Sequence, residues 1–303
     1  MKIIYMGTPE FAVAPLERLY SDGHEIVGVF TQPDKPKSRG MKMTYSPVKK
    51  LAIMHNTPVF QPLSLKDGEA LNILNNLVFD LIVVVAYGKI LPAEILSAAP
   101  MGAINIHASL LPKYRGAAPI QWAILNGETE TGVTSMYMAE ELDAGDIIFS
   151  KKTKIDEDET AGELMDRLSH LGAKLLSETV FAIADGSSKR AVQDHANATF
   201  APLLSRELSP IDWNDTALNI KNKVRGLSPW PGATSKLRET LYKIISIDIF
   251  KNTVSNALPG EIVSTGQHGI EIACADGTVT ITQLQAPGGK RMSAQEHLKG
   301  NPF

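Results

Sequence analysis

Up to about residue 155 the chain alternates short, nearly unbroken apolar runs with stretches whose apolar positions recur every three to four residues. A mostly parallel sheet with crossover helices imposes that pattern. Strands are predicted over 2–6, 25–30, 81–86, 102–107 and 133–138, and the run Leu81-Ile82-Val83-Val84-Val85-Ala86 has the continuous apolarity of a strand covered on both faces. Helices are predicted over 11–20, 47–55, 69–77 and 119–125. Pro47 and Pro119 suit a first helical turn, where the missing N–H costs little. Thr160 with Glu163 three residues on forms a capping box that opens a long amphipathic helix reaching about residue 184.

From 185 to about 208 the periodicity fades into Gly, Ser and mixed charge, the composition of an interdomain linker. A second pattern then begins. A helix is expected over 217–225, followed by the corner Ser228-Pro229-Trp230-Pro231-Gly232, read as packing, and by short strands over 241–249, 260–264, 269–273 and 278–284. Asp276-Gly277 is a hairpin turn signal between the last two. Short strands at regular spacing suggest a small β-barrel of OB-like type. The expected architecture is therefore an α/β, Rossmann-like, mostly parallel sheet over 1–184, a linker over 185–208, and an OB-like barrel over 209–303.

At 303 residues and 44% apolar content the chain can bury a substantial core. Its single cysteine, Cys274, leaves no internal disulfide or cysteine-based zinc site, and it falls in an alternating, strand-like segment. No apolar run approaches the ~18 residues of a membrane span. The N-terminal apolar run is broken by Pro9 and Glu10, so a first strand of a cytoplasmic protein is expected there. The net charge of −3 conceals a local concentration: Lys35, Lys37, Arg39, Lys42, Lys49 and Lys50 fall within sixteen residues without one acid. Such a run is either a solvated loop or a contact for a phosphate backbone.

Familiar signatures are absent. Gly7-Thr8-Pro9 lacks the later glycines of a dinucleotide loop, and there is no P-loop, nucleophile elbow or HExxH. Chemistry concentrates instead on Asn105-Ile106-His107 at the carboxyl end of a predicted central strand. Two residues apart on a strand, Asn105 and His107 share a face, and the carboxyl edge is where open parallel sheets place ligands. Both side chains suit donation to a developing oxyanion, in direct acyl transfer without a covalent intermediate. Ser109 falls where the chain turns away and is not read as a nucleophile. A carboxylate comes from the loop Glu140-Glu141-Leu142-Asp143-Ala144-Gly145-Asp146, and spacing does not say which of its four acids reaches the histidine. Tyr87-Gly88 is a candidate pocket wall, since glycine admits close approach to backbone.

Across essentially its whole length the chain resembles the 10-formyltetrahydrofolate-dependent formyltransferases. The resemblance is carried by Met6-Gly7-Thr8-Pro9-Glu10-Phe11-Ala12, Thr31-Gln32-Pro33-Asp34, Ser46-Pro47-Val48-Lys49, Ala86-Tyr87-Gly88-Lys89-Ile90-Leu91-Pro92, and above all Asn105 to Pro112 continuing through Tyr114-Arg115-Gly116-Ala117-Ala118-Pro119. It implies a catalytic trio of Asn105, His107 and Asp143, and a folate site to which Ser109, Leu110, Leu111 and Pro112 contribute. It implies 10-formyltetrahydrofolate as co-substrate, tetrahydrofolate as product, and no metal. It further implies that the acceptor is the amine of methionine on initiator tRNA. Arg39 would then wedge into the acceptor end, with Lys35, Lys37, Lys42, Lys290 and Arg291 on the nucleic acid. The rival within the family acts on a small amine, glycinamide ribonucleotide or an amino sugar nucleotide, which needs neither the basic loop nor a second domain. A monomer is expected.

Overall fold

The computed structural model describes residues 1–37, 42–250 and 257–302. In chain order, β1 (Lys2–Gly7) leads to α1 (Val13–Ser21), β2 (Glu25–Phe30), the short β3 (Lys35–Lys37) and β4 (Lys42–Thr44), and α2 (Pro47–Met54). Then follow β5 (Val59–Phe60), α3 (Glu69–Asn75), β6 (Leu81–Val85), α4 (Ala93–Leu96), β7 (Ala103–His107), β8 (Arg115–Gly116) and α5 (Pro119–Leu125). After β9 (Glu130–Tyr137) and β10 (Ile147–Lys154) come α6 (Ala161–Ala184), β11 (Phe200–Ala201) and α7 (Ala217–Gly226). The remainder is β12 (Ala233–Leu237), β13 (Thr240–Asp248), β14 (Ile262–Gly266), β15 (Gly269–Cys274), β16 (Gly277–Gln285), β17 (Arg291–Ser293) and α8 (Ala294–Gly300).

The chain forms two compact units. The first comprises Met1–Gly116, Thr131–Thr153 and Met165–Ala201. It is built on a seven-stranded sheet of order β10-β9-β7-β6-β1-β2-β5, parallel from β5 through β7 and antiparallel where β9 meets β7. This is a Rossmann-like architecture. Ile3 to Met6 and Leu81 to Val85 are at most 5% exposed, which explains their unbroken apolarity, and each such side chain contributes roughly 1.5–3 kcal/mol by burial. At the start of α2 the Ser46 side chain accepts from Lys49 N at 3.1 Å with Pro47 in the first turn. At the start of α6, Thr160 and Glu163 exchange both bonds of the capping box.

The expected elements recur within a few residues of their predicted ends, and within this unit the short β3, β4, β5, β8, β11 and α4 are added to them together with the eight-residue β10. β10 was not foreseen, because Ile-Ile-Phe-Ser-Lys-Lys-Thr-Lys carries three lysines on an edge strand, where charge guards against further pairing. Residues 185–201, whose composition suggests a linker, are packed into this unit. Ile147 bridges Ala191, and β11 pairs in parallel with β8. Arg115 N donates to Thr199 O at 2.8 Å, and Tyr114 N to Thr199 Oγ1 at 2.8 Å.

The second unit comprises Ala117–Glu130, Lys154–Leu164 and the chain from Pro202 onward. Its antiparallel strands run β12-β13-β16-β15-β14, with β17 on β16, around a core that includes Ile220, Val224, Ile244, Ile270, Ile281 and Leu284. The arrangement is OB-like, and among the described residues no β12–β14 pairing closes the barrel. Cys274 lies in this core at 7% exposure. α5 belongs here because its outer face packs with α7: Ile124 and Leu125 lie so near Gly226 that a Cβ there would meet them at 3.1–3.2 Å. Trp122 Nε1 donates to Pro202 O at 2.9 Å. Trp230, read as part of a packing corner, is instead 53% exposed. The chain's rigidity at this corner comes from the flanking prolines, so the indole need not be buried.

Candidate active site

β7 delivers Asn105 and His107 to the carboxyl edge of the sheet, 9% and 6% exposed. A carbonyl oxygen can only accept, so the 2.9 Å contact between His107 Nε2 and Tyr114 O places a proton on Nε2. His107 Nδ1 then faces Asp143 Oδ2 at 3.6 Å, beyond direct hydrogen-bond length. The Asn105 carboxamide has no hydrogen-bond partner among the described residues. Sequence reasoning expected His107 and Asn105 to share an oxyanion. In this geometry the Nε2 proton is committed to Tyr114, and Asn105 is the free donor.

Among the four loop acids, Asp143 is the one beside the histidine. Its side chain is 10% exposed, and Gly116 N–H donates to its Oδ2 at 2.8 Å. Glu141 turns to Arg115, Oε1 to Nη1 at 3.3 Å, with a side chain 68% exposed. The loop is tightly wound. Gly145 lies so close to Tyr137 that a Cβ would stand 1.8 Å from its carbonyl oxygen. Asp143 has φ 51° and Tyr114 φ 60°, left-handed values that cost a non-glycine residue roughly 1–2 kcal/mol each. Gly116 has φ 117°, and a Cβ there would meet Ala201 O at 2.7 Å.

Two residues of this region escaped sequence reasoning. Arg115 is 1% exposed. Its Nε and Nη2 donate to Gln193 Oε1 at 3.2 and 2.8 Å, and its Nη2 also meets His195 Nδ1 at 3.3 Å. A charged residue set among Gly116, Ala117 and Ala118 was the only available signal for Arg115, and nothing local singles out Gln193.

The other expected residues divide. Ser109 is fully buried, its Oγ donating to Lys113 O at 2.6 Å and its carbonyl accepting from Thr134 Oγ1 at 2.7 Å. Leu111 is buried, and Leu110 and Pro112 are half-buried. The Tyr87 side chain lies in the core at 1% exposure, and burial pushes its hydroxyl up to about 12. The ring therefore lines no open surface, in contrast to the pocket wall expected of it, and only the backbone here is left to face one. Thr8 Oγ1 and Gln32 Nε2 donate to Tyr87 O, and Gln32 Nε2 also reaches the carbonyl of exposed Gly88 at 3.0 Å. An open cavity of 560 Å³ is lined by Ala93, Glu94, Leu96, Ser97, Ala139 and Glu140, within the size range of small-molecule sites.

In the basic segment, Arg39 lies outside the described residues, as do the side chains of Lys37 and Lys42. Lys35 is exposed. Lys49 is bound instead to Asp34 and Gln61 and sits over the Tyr45 ring. Burial alone would raise the Asp34 carboxyl, but hydrogen bonds from Lys49 and Gln61 and the lysine charge outweigh it and hold it below its usual range. Lys290 and Arg291 are exposed in the second unit, with Arg291 Nε donating to Gln283 Oε1 at 2.7 Å. Among the described residues there is no cluster of three metal-ligating side chains, and no helix is long and apolar enough to cross a membrane.

A free amide, a histidine with one nitrogen committed and a carboxylate thus lie together at the sheet's edge, with the nearby serine buried and bonded. The profile of the formyl transferase family matches residues 1–180, and that of the formyl transferase C-terminal domain matches 203–302. The chain belongs to the formyl transferase family. It is 50% identical over 305 residues to the methionyl-tRNA formyltransferase of Alkaliphilus oremlandii, covering 99% of this chain and 97% of that protein. It is 45% identical over 301 residues to that of Clostridioides difficile, with 99% and 97% covered. Among solved structures, an N-formyltransferase from Helicobacter canadensis in complex with folinic acid and dTDP-3-aminofucose superposes with TM-score 0.66 at 20% identity, covering 92% of this chain and 98% of that one. HypX from Aquifex aeolicus in complex with tetrahydrofolic acid matches with TM-score 0.64 at 19% identity, covering 98% of this chain, which spans about half of HypX. These two likenesses establish the fold.

Proposed function

We propose that this chain transfers the formyl group of 10-formyltetrahydrofolate to the α-amino group of methionine esterified to initiator tRNA, giving N-formylmethionyl-tRNA. One observation carries the reading. The similarity to methionyl-tRNA formyltransferases runs unbroken through both domains at 45–50% identity, against 20% to the amino-sugar enzyme. The setting is the translating cytoplasm, and the working form is a monomer.

The folate would lie along the exposed backbone at Gly88 and the segment from Ser109 to Pro112. The fit is favourable, because Gly88 is exposed and the cavity between α4 and residues 139–140 has room for a bicyclic ring. When bound, the folate supplies the formyl carbon and leaves as tetrahydrofolate.

The chain's own residues do the rest. The methionine amine is a competent nucleophile once neutral and needs positioning more than activation. As it attacks, negative charge grows on the formyl oxygen, and the unpartnered Asn105 amide donates to it; losing such a donor typically costs about 100- to 1,000-fold in rate. With Nε2–H held by Tyr114 O, neutral His107 presents a lone pair at Nδ1, beside Asp143. That pair accepts the amine proton, the carboxylate stabilises the imidazolium that results, and the proton then passes to the folate nitrogen as its bond to the formyl carbon breaks. Arg39, Lys35, Lys37, Lys42, Lys290 and Arg291 hold tRNA phosphates, with Arg39 at the acceptor end.

The direct test mixes purified protein with 10-formyltetrahydrofolate and either charged initiator tRNA, glycinamide ribonucleotide or an amino sugar nucleotide, and follows formyl transfer. Transfer to the tRNA alone is the expected result. Transfer to a small amine, with none to tRNA, would replace this reading with its rival.

A further inference from the structure

Asp143 needs an explanation that the catalytic trio does not supply, because it holds a carboxylate on backbone that non-glycine residues rarely adopt, φ 51°. Two bonds keep it there. Gly116 N–H holds its Oδ2 at 2.8 Å, and Gln193 Nε2 donates to its main-chain oxygen at 2.8 Å. The same Nε2 donates to Gly145 O at 2.7 Å, so one carboxamide pins the turn on both sides of Ala144.

The orientation of that carboxamide is forced. A guanidinium only donates, and Arg115 presents Nε and Nη2 to Gln193 Oε1, so the nitrogen must face the loop. Gln193 is 4% exposed and Arg115 1%, which makes these bonds costly to break and hard for water to replace. Arg115 also immediately precedes Gly116. The two supports of Asp143, one on its carboxylate and one on its backbone, therefore meet at one buried arginine.

We infer that Gln193, oriented by Arg115, is a positioning residue that sets the Asp143 carboxylate against His107 Nδ1, and that the segment from Ala191 to Ala201 is thereby part of the catalytic apparatus. The inference rests on the proposed role of Asp143 in proton transfer. Gln193→Glu is the informative change. It keeps the link to Arg115, as an ion pair, but faces the carbonyls of Asp143 and Gly145 with acceptors in place of donors.

The test is a double-mutant cycle on the full-length protein. First-turnover formylation of charged initiator tRNA at saturating 10-formyltetrahydrofolate is compared for wild type, Gln193→Glu, Asp143→Asn and the double variant, with melting temperature measured for each. Gln193→Glu should slow the first turnover about 10- to 100-fold, as a displacement on the order of 1 Å does, and leave KM for tRNA within about twofold. In the Asp143→Asn background the same change should cost less than about twofold. Losses that multiply in the double variant would show that Gln193 acts elsewhere, and an undiminished rate in Gln193→Glu would overturn the inference outright. Asp143→Asn at the wild-type rate would remove both the inference and the role beneath it. Should Gln193→Glu fail to fold, Gln193→Met, of similar volume without the donors, runs through the same cycle with the same expected outcomes.

Discussion

The two units bury different things. Around the carboxyl edge of its sheet the first unit hides Arg115, Gln193, Asn105, His107, Ser109 and Thr134, all at most 9% exposed. The second is built on a core of Ile, Val and Leu and carries Lys290 and Arg291 on the outside. Buried polar groups are tolerated only when bonded, and of these six side chains every one but the Asn105 amide is, an amide that a substrate would satisfy. The result is a stiff, preorganised site. An exposed charge, by contrast, meets a polyanion without a large desolvation cost, so the second unit can contribute attraction without such a network.

Four changes sharpen or break this contrast. Asn105→Ala should lower turnover by roughly 100- to 1,000-fold with the melting temperature close to wild type. A matching loss of stability would mean that Asn105 is structural. Next, Ile281→Ala in the core of the second unit should cost about 2–5 kcal/mol, read by hydrogen exchange as faster opening within 233–285. Comparable acceleration throughout the seven-stranded sheet would show that the two units do not respond separately. Lys290→Ala is a smaller change, expected in KM for tRNA and in a log–log salt slope reduced by about 0.9 for one lost phosphate contact. An unaltered slope would take Lys290 off the nucleic acid.

The smallest effect is a pH dependence in the second unit. His297 is buried, with Nε2 3.2 Å from the Tyr242 hydroxyl, and burial holds its pKa below the usual value of 6.5. The folded state therefore favours the neutral ring, while the unfolded chain takes up a proton near pH 6.5. Stability contributed by this site is present above that pH and declines as pH falls through the window below it. Thermal unfolding of the second unit at pH 7 and pH 5 should show the decline, and His297→Gln should flatten it.

Legibility differed between the same regions for physical reasons. Strands covered on both faces, such as β1 and β6, announce themselves by continuous apolarity, and α6 by its capping box. β10 was hidden by the lysines that protect an edge. The stretch from 185 to 201 looked like a linker because it is held by main-chain hydrogen bonds to 114–116 and by single polar side chains, neither of which leaves a periodic trace. Asn105 and His107 were visible as polar residues two apart at a strand end. Asp143 stood among four acids until the family resemblance singled it out, and its contact with His107 depends on a left-handed turn that spacing does not encode.

By itself the sequence determined the layers: where the parallel strands lie, that a strand-rich unit follows, and that an amide and an imidazole share one face near the sheet's edge. These follow from periodicity, which is local. Tertiary structure decided which acid meets the histidine, which histidine nitrogen carries its proton, and that Gln193 reaches back some fifty residues to hold the loop. Those outcomes depend on hydrogen bonds between segments distant in sequence, whose partners no local pattern of hydrophobic and polar residues can specify.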